Sequence, residues 1–229
     1  VQPTTLTAST IKVEVSCNGG NNGSVDLTVN GGTAPYIFNW SNSATTEDIT
    51  GLTIGTYNVT VTDAENCTIT TSETINEPAL LTVSTTKVDV SCNGGNNGSV
   101  DLTINGGTTP YIYNWSNGAT TKDITGLTIG TYNITVADAQ NCTITTSETI
   151  NEPALLTATT TKVDVSCNGG NNGSVDLTVN GGTTPYAFIW SGGESIEDID
   201  SMSIGTFDVT VTDAQGCSAP ASATIAEPA

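Results

Sequence analysis

SCNGGNNGSVDLTVNGG, residues 16–32, returns at 91–107 with Ile104 in place of Val29, and again unchanged at 166–182. Its second half alternates: Val25, Leu27 and Val29 fall on one side of an extended chain, and Asp26 and Thr28 on the other. That is the period-two pattern of a strand with one buried face. Its first half, Asn18 to Gly23, holds only glycine and asparagine, the residues that tolerate positive φ, so it reads as a chain reversal after Cys17. Gly31-Gly32 reads as a second reversal before Pro35.

The recurrence extends beyond this stretch. Cys17, Cys92 and Cys167, then Trp40, Trp115 and Trp190, then Cys67, Cys142 and Cys217 all step by 75 residues, as do Pro3, Pro78, Pro153 and Pro228. Residues 17–91 and 92–166 differ at ten positions, nearly all conservative. A fixed period of this length marks repeated structural units. We divide the chain into three, at 1–78, 79–153 and 154–229. Pro3 and Pro228 hold equivalent positions and only the third unit has drifted, so the chain reads as a slice of a longer array.

Within the first unit the strand signals lie at Leu6–Ser9, Lys12–Cys17, Val25–Val29, Tyr36–Trp40, Asp48–Leu52, Tyr57–Val61 and Cys67–Ile75, about seven strands. Tyr36, Phe38 and Trp40 share a phase and form an inward aromatic row. No window carries the spacing of an amphipathic helix. Short strands rich in threonine and valine, with turn signals every eight to twelve residues, predict an all-β fold. The expected form is a tandem array of immunoglobulin-like antiparallel β-sandwich domains. The linkers Asn76-Glu77-Pro78-Ala79 and Asn151-Glu152-Pro153-Ala154 are short and proline-bearing, so an elongated, semi-rigid rod is expected.

Each unit carries two cysteines. Pairing within units, Cys17 with Cys67, Cys92 with Cys142 and Cys167 with Cys217, uses all six. In the chain-entropy picture each bridge would stabilise its unit by roughly 4 kcal/mol. Pairing between neighbours, such as Cys67 with Cys92, would leave Cys17 and Cys217 over, and buried free thiols are a further alternative. Zinc has little support without histidine or a CxxC pair. Disulfides imply an oxidising compartment, hence an extracellular, cell-surface location.

The formal net charge is −19, with four lysines and no arginine or histidine. Such a surface repels phosphates and anionic headgroups, which excludes nucleic acid as a partner. No apolar run approaches the ~20 residues that span a bilayer, so no membrane insertion is expected.

The stretches CNGGNNGSVDLTVNGGTAPYIFNWSN and ITGLTIGTYNVTVTDAENC closely resemble the SprB-type repeat of very large surface adhesins of gliding Bacteroidota, and all three units carry the pattern. The ending of the second stretch is also similar to polycystic-kidney-disease-type modules. The resemblance implies export to the outer surface, by the type IX route, in a long filamentous adhesin used for attachment or gliding motility. It brings no catalytic residue.

Without histidine, and with the cysteines expected to be oxidised, triads of the usual kind cannot form. Carboxylate neighbours Glu47-Asp48 and Glu197-Asp198 are poor catalytic pairs, since Lys122 replaces Glu47 in the middle unit. The chain is therefore expected not to be an enzyme and to need no cofactor. Calcium is the ligand weighed against this, with Asp63, Asp138, Asp213, Glu77, Glu152 and Glu227 as the repeated oxygen donors. The alternative for Asp63 is a strand-end side chain bonding nearby backbone amides. Asn39-Trp40-Ser41 and Asn66-Cys67-Thr68 match glycosylation sequons, and Asp200-Ser201-Met202 is similar to a bacterial O-glycosylation context. The expected role is a structural stalk. Contact with an external surface or polysaccharide would pass through other parts of the full protein, and self-association into filaments and a ligand-binding array are the rival roles.

Overall fold

The computed structural model describes residues 4–228; Pro3 lies outside them. The first repeat contributes β1 (Thr7–Val13), β2 (Gly23–Asn30), β3 (Ile37–Trp40), β4 (Ile49–Leu52), β5 (Gly55–Thr62) and β6 (Thr68–Ile75). The second contributes β7 (Thr82–Val88), β8 (Gly98–Asn105), β9 (Ile112–Trp115), β10 (Ile124–Leu127), β11 (Gly130–Ala137) and β12 (Thr143–Ile150). The third contributes β13 (Thr157–Val163), β14 (Gly173–Asn180), β15 (Ala187–Trp190), β16 (Ile199–Met202), β17 (Gly205–Thr212) and β18 (Ser218–Ile225). No helix occurs among the described residues.

In the first repeat, β1-β2-β4 form one antiparallel sheet and β3-β5-β6 another, and the same orders recur in the other repeats. The alternation that marked residues 25–29 is realised: Val25 and Leu27 are buried while Asp26 and Thr28 are exposed. Facing them across the core are Trp40, Val59, Val61 and Ile75 from the second sheet, so both inner faces supply one apolar interior. Trp40 donates its indole N–H to the Thr46 carbonyl at 2.9 Å, which satisfies its only polar atom. The third repeat is built alike around Trp190, whose indole donates to the Ile196 carbonyl.

Among the described residues each repeat has six strands rather than seven. Leu6–Ser9 and Lys12–Cys17 are not separate strands, because β1 pairs with β2 without interruption from Thr7 opposite Asn30 to Val13 opposite Ser24. Nothing in Thr10-Ile11 breaks the chain, and Cys17 lies beyond the strand, in the turn.

The cysteines do not pair as expected. The disulfides join Cys17 to Cys142 and Cys92 to Cys217, each 125 residues apart, while Cys67 and Cys167 are exposed free thiols. The reason lies in the strand directions. Thr10 meets Glu73, Lys12 meets Thr74 and the Val15 amide bonds the Asn76 carbonyl, so β1 and β6 run the same way along one edge of the sandwich. Cys17 follows the end of β1 and Cys67 precedes the start of β6, so they sit at opposite ends of the repeat. The length of β6 alone separates these ends by roughly 25 Å, far beyond the reach of a disulfide.

Contacts divide the chain into two compact units. The first runs through Ser84 and includes Thr103–Thr120 and Ile134–Thr146; the second holds Thr85–Leu102, Thr121–Asn133 and Ser147 onward. Each unit contains one of the two disulfides.

Candidate functional site: the disulfide-bearing junction

The turn after Cys17 is closed by the Gly20 N–H donating to the Cys17 carbonyl at 2.9 Å, with Gly19 at φ 71°. A Cβ on Gly20 would lie 2.9 Å from both that carbonyl oxygen and a Val15 methyl, so this position admits only glycine without a shift. Asn22 accepts from the Ser16 N–H and donates to the Ser16 hydroxyl, at 2.9 and 2.7 Å. Glu77, from the linker, reaches back to accept from the Asn18 side chain at 2.9 Å and the Gly19 N–H at 2.6 Å. Glu152 does the same with Asn93 and Gly94, and Glu227 accepts from the Gly169 N–H. These glutamates thus clasp a linker to a turn.

The linker is held from its other side as well. The Ala79 carbonyl accepts from the Gly107 N–H at 2.8 Å, and a Cβ on Gly106 would overlap the Leu80 carbonyl. The sequence from Asn76 to Leu80 is therefore bonded to the repeat before it and to the Gly106-Gly107 turn after it. The same pattern recurs where Gly182 donates to the Ala154 carbonyl.

At the other end of each repeat, Asp63, Asp138 and Asp213 are buried. Asp63 accepts from the N–H groups of Thr33, Glu65 and Cys67 at 3.0, 3.0 and 2.8 Å, tying the Gly31-Gly32 turn to the loop that presents Cys67. Burial pushes its carboxyl up, but the amides of Thr33, Cys67 and Glu65 together outweigh burial and leave it below the usual value. Asp138 and Asp213 are shifted the same way by the same opposition. Of the two readings of Asp63, the structure shows the strand-end one. Asp63 and Glu77 stand at opposite ends of β6, and no group of three or more potential metal-ligating side chains occurs among the described residues.

In the first unit these parts meet beside the Cys17–Cys142 disulfide, whose Cα atoms are 5.7 Å apart. A groove of about 400 Å³ runs along the seam, lined by Glu14, Asn76, Pro78, Thr108 and Gln140 among others. The second unit repeats it at about 370 Å³ with Asp89, Asn151, Pro153, Thr183 and Gln215. Glu14 pairs with Lys12 at 2.7 Å and accepts from the Asn76 backbone and side-chain N–H groups. The Lys12 ammonium first, and the Asn76 amide second, bring its pKa down to about 2. Asp89 is lowered by the Asn151 amide and then by Lys87. Sequence reasoning missed Glu14 and Asp89 because each is one charge in an alternating strand end, with nothing local to mark it.

The architecture defines a tandem array of immunoglobulin-like sandwiches in which a disulfide ties one repeat to the next. The chain is a SprB-repeat protein: the SprB repeat matches it three times, at residues 9–45, 84–120 and 159–195. No curated protein matches it. Among solved structures it is similar to the N-terminal four immunoglobulin domains of Dscam1 isoform 6.9, at 15% identity over 98% of this chain and 73% of that one, with a TM-score of 0.33. A structure described as the basis for Dscam isoform specificity is 14% identical over 96% of this chain and 72% of that one, with a TM-score of 0.32.

Proposed function

We propose that this chain is a non-catalytic stalk segment of a secreted, cell-surface repeat adhesin, built from three sandwich domains at 1–78, 79–153 and 154–229. The observation that carries the reading is the disulfide between repeats. A bridge closed inside a module protects only that module, whereas Cys17–Cys142 and Cys92–Cys217 overlap and make a covalent ladder. Bonds of this kind persist in an oxidising, extracellular setting. The segment transmits load, and attachment to an external surface or polysaccharide, in gliding or adhesion, belongs to other parts of the full protein. Nucleic acid and membrane lipid are not its partners, in keeping with the net charge of −19.

The ladder has a measurable length. The shortest covalent route from Cys17 to Cys217 crosses to Cys142, returns to Cys92 and crosses again, using about 50 residues instead of about 200. Pulled between residues 17 and 217, oxidised protein should stop extending at about 170 Å, and reduced protein at about 680 Å. An oxidised chain that runs out to the longer limit would remove the load-bearing argument. Saturable binding of calcium or a glycan at one site per repeat would make the chain a recognition array instead.

A further inference from the structure

The groove beside each disulfide-bearing junction, about 400 Å³ in the first unit and about 370 Å³ in the second, is large enough to take a ligand. Part of its lining is apolar. Val13, 57% exposed, and Pro78 line the first groove, as Val88, 56% exposed, and Pro153 line the second. The rest is rich in acceptors that the fold does not use. The Thr108 and Gln140 backbone amides donate to Asp138, but among the described residues the Thr108 hydroxyl and the Gln140 side-chain amide have no partner. Thr183 and Gln215 repeat this around Asp213. Asn76 gives its side-chain N–H to Glu14, which leaves its amide oxygen as an acceptor, and Asn151 does the same with Asp89. The side chains of Glu14 and Asp89 are still 42% and 43% exposed, so lone pairs remain for a further donor.

These groups narrow the chemistry of the ligand. A metal ion finds no group of three ligating side chains among the described residues. No lining residue is aromatic, so a sugar ring has no platform to stack on. An anion would meet Glu14 and Glu77, or Asp89 and Glu152, on a chain of net charge −19. The same field draws a cation. Lys12 offsets Glu14 in part, but its ammonium is held by that carboxylate and by the Thr74 carbonyl. A guanidinium has five N–H donors in one plane, which suits carboxylate, amide and hydroxyl acceptors contributed by two repeats. Its methylene stem suits the valine and the proline. A second copy of this chain cannot supply it: the sequence has no arginine, and each of its four lysines is already paired with a carboxylate.

We propose that each of the two grooves receives an arginine side chain presented by a different, basic protein. The guanidinium bonds the free oxygens of Gln140, Thr108 and Asn76 beside Glu14, and in the second groove those of Gln215, Thr183 and Asn151 beside Asp89. The uncharged amides and hydroxyls select the position, and the carboxylates supply the attraction.

The test titrates the whole oxidised chain with the peptide acetyl-Gly-Arg-Gly-amide and follows backbone amide signals by NMR. Two equivalent sites should saturate, with the largest shifts at Ser16, Asn76, Thr108 and Gln140 and at Ser91, Asn151, Thr183 and Gln215. The same peptide with citrulline, which keeps the shape without the charge, should bind about tenfold more weakly. So should the double variant Gln140→Ala, Gln215→Ala, because each groove loses a bond to a charged group, about tenfold, while the net charge stays at −19. Both glutamines are exposed, and unchanged signals away from the grooves check that the variant is folded. Asp26→Asn with Asp101→Asn removes two exposed carboxylates outside the grooves and should change the affinity by less than about twofold, since distant surface charges are screened. Equal weakening in the two double variants, undiminished affinity in the glutamine variant, shifts spread over the acidic surface, or citrulline binding as tightly as arginine would each overturn the proposal.

Discussion

The first and third repeats share a fold but close one edge differently. In the first, Glu73 on β6 accepts from the Thr10 hydroxyl at 2.8 Å and lies 3.6 Å from the Lys12 ammonium. In the third, its place is taken by Ala223, which is buried, and the Thr160 hydroxyl turns to the Ser222 carbonyl at 2.9 Å. Lys162 keeps its ion pair with Asp164, at 2.8 Å, and its bond to the Thr224 carbonyl, but has no glutamate on β18 to face. Beside this change β18 carries Pro220, opposite Thr210 on β17. A proline lacks the N–H a central strand needs, but β18 is an edge strand in the order β15-β17-β18. What the two repeats hold in common is the tryptophan, the glycine turns and the buried aspartate. The lesson is that the sandwich depends on its core and its end loops, and treats the β1–β6 edge as exchangeable.

That contrast can be tested from its largest consequence downward. Replacing both cysteines of either bridge by serine should cost about 5 kcal/mol in the chain-entropy picture, and equally at Cys17–Cys142 and Cys92–Cys217 because the loops are the same length. Denaturant melts that separate the two double variants by more than ~1 kcal/mol would show that the junctions are not equivalent. Trp40→Ala and Trp190→Ala should each cost about 3–5 kcal/mol, since both side chains are 2% exposed. A much milder loss at Trp190 would mean that the drifted repeat has a softer core.

Exchanging the edges should matter far less. Glu73→Ala and Ala223→Glu should each change stability by less than about 1 kcal/mol, because Thr160 and Lys162 stand ready to receive a glutamate as Thr10 and Lys12 do. A cost of ~3 kcal/mol for Ala223→Glu, the scale of an unpaired buried charge, would refute the exchangeable edge.

The smallest effect is in acid. Glu14 is held at about 2 in the folded chain against an ordinary 4.5, so its contribution is complete above about 4.5 and is lost as pH falls towards 2. Asp164, lowered by the Ala226 amide and then by Lys162, acts in the same direction in the third repeat. Melting temperatures in Glu14→Gln should fall less steeply across that acid range than in wild type; an unchanged slope would remove Glu14 from the account.

Much of this fold is legible in single strands. The alternation at residues 25–29 and the phase of Tyr36, Phe38 and Trp40 mark β2 and β3, since one face of each must be apolar. The disulfides are not legible in that way. A count of cysteines favours pairs within repeats because that leaves none over, but pairing follows which strand ends meet. That depends on β1 and β6 running alike in different sheets, a relation between distant segments. The carboxylates divide similarly. Asp63 and Glu77 recur like ligands, yet each is spent on backbone amides at its own end of the repeat.

The overlap of the two bridges also bears on survival outside a cell, where proteases are abundant. A single peptide-bond cleavage anywhere from Cys17 to Cys217 falls inside at least one disulfide-closed loop, and between Cys92 and Cys142 it falls inside both. A nicked molecule therefore stays in one piece, and severing it takes a second cut or a reductant.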